Sequence, residues 1–165
     1  MDPQELRAPV ACYARGMLKI ELHCARDRYR EGEDPELRAA YTNLGDGPLA
    51  LAFWWHRTLR VRDHAGRLVV PGPGRELPCG VPELLEVLPP GTTHERVEVL
   101  ACTQPAGHPA HVGWSYALAP GSYRLTLVFE APPAHGFTQH APDPHEFVGR
   151  VESNEVSIAI VPRRG

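Results

Sequence analysis

Three histidines recur at intervals of five in APPAHGFTQHAPDPHE, residues 131–146: His135, His140 and His145, with Asp143 and Glu146 nearby. Neutral imidazole is the commonest metal ligand, so this trio is the chain's candidate zinc or copper site. The interval alone does not gather the rings. A strand brings ligands together at i and i+2 and a helix at i and i+4, whereas a proline-rich loop guarantees neither. No H-E-x-x-H or zinc-ribbon spacing is present. The plainer expectation is loop histidines facing solvent, as for His108 and His111 in AGHPAHVGW.

Covalent catalysis finds little to work with. The four serines, Ser115, Ser122, Ser153 and Ser157, all lie outside any G-x-S-x-G elbow, and two of them belong to strand patterns. Cys79 or Cys102 paired with a loop histidine is the one nucleophile arrangement to consider, and nothing in the sequence marks either thiol as activated. Glu33 and Asp34 sit in EGEDPE, an acidic turn expected to stay solvated. There is no P-loop and no dinucleotide fingerprint. The reading is of a chain with no catalytic residues and no cofactor.

The elements that would hold these side chains are strands. Short runs with a two-residue apolar period alternate with turns rich in the chain's 18 prolines and 15 glycines. Met17–Cys24 lines up Leu18, Ile20, Leu22 and Cys24; Glu36–Asn43 lines up Leu37, Ala39 and Tyr41; Leu49–Trp55 lines up Leu49, Leu51, Phe53 and Trp55. Thr58–Asp63 alternates Leu59 and Val61 with arginines, and a DHAG turn leads on into RLVV. Glu95–Ala101 sets Val97, Val99 and Ala101 against Arg96, Glu98 and Leu100. Ser122–Glu130 and Asn154–Val161 complete the set. PELLEVL, from Pro82, has room for one helical turn.

About seven alternating strands without long amphipathic helices imply an all-β fold, an immunoglobulin-like antiparallel β-sandwich. Tyr123, after the Pro-Gly turn of LAPGSYRLTLVF, is expected to form a tyrosine corner. The expected organisation is a single domain over residues 1–165. Residues 1–16 are an N-terminal extension, and residues 131–153 are a long Pro/His-rich loop with the start of the last strand.

Trp54 and Trp55 raise a question of faces. Parity puts Trp55 in the core and Trp54 outward with Ala50, Ala52 and His56, a face too apolar for open water. A loop, Val70–Cys79 or Ala131–Glu146, could cover it; the strand could twist so that both rings are partly buried; or Trp54 could stand exposed as a contact anchor. The candidate partner-binding residues are therefore Trp54 and His56, with Pro71, Pro73 and Arg75 from VPGPGRELPC and Phe137 from the long loop. Loops above about 12 residues are often functional in compact domains.

Composition narrows the partner. The net charge is −3, lysine occurs once, at Lys19, and the arginines are scattered, so no basic stripe suggests nucleic acid. No apolar run approaches the ~18 residues of a membrane span. The N-terminus lacks a basic region followed by an apolar run. Cys12, Cys24, Cys79 and Cys102 show no C-x-x-C spacing. Small buried or free thiols in a reducing cytoplasm are the expectation, ahead of a disulfide framework.

Four stretches, YTNLGDGPLALAF, LRVRDHAGRLVV, LPPGTTHERVEVL and LAPGSYRLTLVFEA, occur in an order that resembles the intracellular proteinase inhibitor family. These are small immunoglobulin-like proteins associated with inhibition of subtilisin-type proteases, and the resemblance covers residues 37–130. The Trp usual after that family's D-x-x-G hairpin is lacking, and the histidine loop and closing strand SNEVSIAIV are additions. The resemblance implies a cytoplasmic, non-enzymatic protein that binds a protein partner and inhibits a serine protease of the subtilisin type. The shared motifs are scaffold and carry no inhibitory residue. The alternatives are a metal-handling protein using the loop histidines, an accessory domain of an enzyme complex, and a homo-oligomer formed through a sheet edge or the Trp54 face.

Overall fold

The computed structural model describes residues 16–53, 57–71, 85–102, 114–131 and 145–163. These form β1 (Leu18–Cys24), β2 (Arg28–Arg30), β3 (Glu36–Asn43), β4 (Leu49–Leu51), β5 (Arg57–Asp63), β6 (Glu86–Leu88), β7 (Thr93–Ala101), β8 (Trp114–Ser115), β9 (Gly121–Ala131), β10 (Gly149–Glu152) and β11 (Val156–Val161). One sheet runs β1-β3-β7-β8. A second has β9 at its centre, with β5 on one side and β10 and β11 on the other, and β2 pairs with β11; β4 and β6 form a separate two-stranded pair. All pairs are antiparallel except β7–β8 and β2–β11. From β1 in one sheet the chain thus crosses to the second at β2 and returns at β3, in an immunoglobulin-like antiparallel sandwich.

The alternation read from the sequence supplies most of the interior. Leu18, Ile20 and Leu22 of β1, Leu37, Ala39 and Tyr41 of β3, and Leu125, Leu127 and Phe129 of β9 face inward and are buried. At the centre Tyr41, Phe53 and Phe129 meet edge to face, with centroids 4.7–6.4 Å apart, and Phe147 joins them at 5.7 Å from Phe129. Such pairs add about 0.5–1.5 kcal/mol each beyond the area they bury.

Local side-chain bonds fix the corners. The Tyr123 hydroxyl donates to the Ala119 carbonyl at 2.7 Å, forming the expected corner. Buried Asn43 accepts from the Gly45 amide and donates to the carbonyls of Gly47 and Leu88, so one side chain shapes the turn after β3 and ties it to β6. Asp63 accepts from the amides of Ala65 and Arg67, closing the hairpin in which Gly66 takes a φ of +81°. Between β10 and β11 four steps along the chain match three on β9, since Glu152 faces Val128 and Val156 faces Leu125. That one-residue bulge is held by Ser153, whose hydroxyl accepts from the Leu127 amide. The next side chain, Asn154, both accepts from and donates to the backbone of Leu22, linking the two sheets and occupying the edge of β1.

Three expectations are corrected, and four short strands join the seven read from the sequence. β2, β6, β8 and β10 bring the strands among the described residues to eleven, more than the seven expected. Glu86–Leu88, where a helical turn had room, is a strand paired with β4. The strand expected over 49–55 ends at Leu51, and Ala50 and Ala52, on the face expected to need cover, are buried. Here the end of the histidine loop lies against the strand. The Ala50 amide donates to the His145 carbonyl and the Phe147 amide to the Ala50 carbonyl, so β4 is paired on both sides. Finally, β7 is turned over. Val97 is 60% exposed, while Glu98, only 4% exposed, and Leu100 point inward. Trp54 and Trp55 lie outside the described residues.

Candidate functional site

The second sheet carries an open groove on its outer face. It has a volume of about 380 Å³. Alternation on β5 and β9 places Thr58, Arg60, Val128 and Glu130 outward, and Arg150 of β10 stands beside them. The wall comes from the chain after the DHAG turn. The Val69 amide donates to the Val61 carbonyl, which holds Leu68–Pro71 along the edge of β5. Leu68 and Val70 are left 57% and 82% exposed. At the other end of β5 the Tyr116 hydroxyl donates to the Leu59 carbonyl, closing that edge with an aromatic ring. The volume is within the usual range of ligand sites, and the lining combines apolar contact with a few fixed polar groups.

The rim of the groove is ionic. Glu152 receives Arg60 at 3.1 Å and Arg150 at 2.6 Å, and Arg150 also reaches Glu130 at 3.4 Å. These stems and heads roof Val128, which is only 4% exposed although it points away from the core. The two arginines hold the Glu152 carboxyl below its ordinary range, the hydrogen bond from Arg150 acting most strongly.

A second polar cluster lies between the sheets. The inward face of β7 presents His94, Arg96 and Glu98, and Arg57 of β5 crosses to bond Glu98 and the Phe53 carbonyl. Arg96 bonds Glu86 and lies 4.6 Å above the Phe53 ring, while His94 meets Glu86 at 3.1 Å. Burial pushes the nearby Tyr41 hydroxyl up to about 12, against the opposing pull of Arg57 and Arg96. Burial lowers Arg57 from its usual value. The arrangement sets two guanidiniums against two carboxylates, a balanced structural network.

Few of the residues singled out by sequence meet. Pro71 lines the groove. Trp54, His56, Pro73, Arg75 and Phe137 lie outside the described residues, as do His135 and His140. His145 is described and exposed, and its carbonyl, not its ring, binds β4. Among the described residues no three His, Cys, Asp or Glu side chains gather to hold a metal. Cys24 and Cys102 are free thiols. Cys24 contacts the Tyr29 hydroxyl at 3.2 Å, and burial pushes the Cys102 thiol up to about 11, with Asp34 adding to the effect. A thiol so placed stays protonated at neutral pH and is a poor nucleophile. In the acidic turn, Glu33 caps the Arg30 amide and Asp34 the Cys102 amide. Thr58, Arg60, Val128 and Tyr116 were missed as site residues. The arginines of TLRVRD were visible as an outward row, but the wall that makes a groove of them comes from residues 68–71.

Fold and groove together define an immunoglobulin-like β-sandwich with an open groove on one sheet. No protein-family model matches the chain, and no curated protein matches it. Among solved structures, the chain is similar to the CARDB domain of the PF1109 protein from Pyrococcus furiosus, determined in complex with di-metal ions. Identity is 13%, the overlap covers 88% of this chain and 94% of that one, and the TM-score is 0.41. So loose an overlap carries no argument, and the strand pairing itself defines the fold. Among the described residues no helix is long and apolar enough to cross a membrane.

Proposed function

We propose that this chain is a non-enzymatic, cytoplasmic binding protein that receives an extended segment of another protein in the groove on the outer face of β5 and β9, walled by Leu68–Pro71. The observation that carries the reading is the exposure of Leu68 and Val70 beside a fixed ionic rim, since apolar side chains on a polar-edged concavity mark contact surfaces. The rigid sandwich beneath keeps the ordering cost of binding low. Inhibition of a subtilisin-like protease is the narrower form of this proposal. It draws on the resemblance over residues 37–130 and on Pro71, which leads from the groove into VPGPGRELPC.

The test is selection from a displayed library of random dodecapeptides, with binding of the enriched peptides measured by fluorescence anisotropy. A recurring peptide family whose binding is lost in Val70→Asp and Leu68→Asp, both at exposed positions, is the expected result. Subtilisin assayed with the protein in the same series reports on the inhibitor form. Absence of any enriched peptide, or unchanged binding by both variants, would overturn the groove reading.

A further inference from the structure

The outer face of the second sheet is basic on a chain whose net charge is −3. Tyr29 is buried, so Arg28 and Arg30 of β2 point outward, joining Arg124 of β9, Arg60 and Arg62 of β5, and Arg150 of β10. Against these six arginines stand three glutamates: Glu130, Glu152 and Glu155, the last 3.7 Å from Arg124. Among the described residues no carboxylate lies within ion-pair distance of Arg28, Arg30 or Arg62.

One juxtaposition is costly as it stands. Arg62 is directly opposite Arg124 in the β5–β9 register, and like charges in that relation destabilise a sheet. Both guanidiniums converge on the DHAG turn. Arg62 donates to the Gly66 carbonyl at 2.8 Å, and an Arg124 nitrogen lies 3.4 Å from where a Cβ on Gly66 would sit. Two guanidinium forks brought to one turn match a carboxylate, which accepts several such donors at once. Arg62 is two residues beyond Arg60 on the same face and stands opposite Leu68, which puts the pair at the Leu68 end of the groove, about 7 Å along β5 from the level of Arg60.

We infer that Arg62 and Arg124 receive an acidic side chain of the partner segment whose apolar side chain occupies the groove, so that the recognised motif is apolar-x-acidic in an extended chain. This rests on the groove reading and gives it a substrate class. An extended peptide advances about 3.3 Å per residue, so an apolar side chain seated at the level of Arg60 places an acidic one two residues on at the arginine pair.

The probe is a pair of dye-labelled nonapeptides, identical except that one carries Glu and the other Gln two positions from a central Leu. The Glu peptide is expected to bind about ten-fold more tightly at low salt, with the advantage shrinking from about 0.05 to about 0.5 M salt. Arg62→Gln and Arg124→Gln should each remove most of that advantage and leave the Gln peptide's affinity unchanged, with thermal melts confirming that both variants fold. Equal binding of the two peptides, abolished by Val70→Asp, would overturn the acidic motif and leave the groove reading standing. Failure of both peptides to bind would overturn the two together.

Discussion

Glu98 reaches the interior because Arg57, from the opposite sheet, meets it there. Removing the carboxylate would take one opposing charge from a buried guanidinium, at a cost of about 3 kcal/mol. Urea unfolding of Glu98→Gln should show that loss, while Arg57→Met combined with Glu98→Leu should recover much of it. Tyr123→Phe should cost about 1 kcal/mol by the same assay, the worth of one hydrogen bond. The two residues differ in how well the sequence announces them. Tyr123 bonds a carbonyl four residues away, and its Pro-Gly turn is written beside it. On β7, period two separates Val97 from Glu98 without saying which side is inner. The apolar side looked inward until Arg57, 41 residues distant from Glu98, supplied the countercharge.

At the scale of elements, the DHAG hairpin aims both the groove wall and the arginine pair. Gly66→Ala would force a positive φ on a side chain and set its Cβ against Arg124. A loss of about 1 kcal/mol is expected in thermal or urea unfolding. The rim of the groove should respond to acid. Since the folded-state pKa of Glu152 is depressed, its contribution is complete above the ordinary value of 4.5 and is lost as pH falls through the lower folded value. The stability difference between the native chain and Glu152→Gln should therefore be constant from pH 7 to about pH 5 and close below that. Long strands such as β3 and β9 were legible from alternation alone. β2, β6, β8 and β10 are two to four residues long and carry too little pattern, so their pairing partners make them strands. The bulge at Ser153 was hidden for a related reason, because its register exists only against β9.

At the scale of the molecule, the sandwich keeps its two outer faces distinct. Around β1, β3 and β7 it mixes signs, with Lys19 against Glu21 and Arg38 against Glu36. Around β9 arginines are in excess and an apolar groove opens at their margin. The sequence showed these arginines as scattered, since β2, β5, β9 and β10 lie far apart along the chain and only the sheet collects them. What matters most is where a partner segment lands. Chemical-shift mapping of isotope-labelled protein titrated with the Glu-containing nonapeptide measures that directly. The predicted result is a set of perturbed amides confined to Thr58–Arg62, Leu68–Val70, Tyr116 and Arg124–Val128. Perturbation centred on β1, β3 and β7, with these amides unmoved, would contradict it.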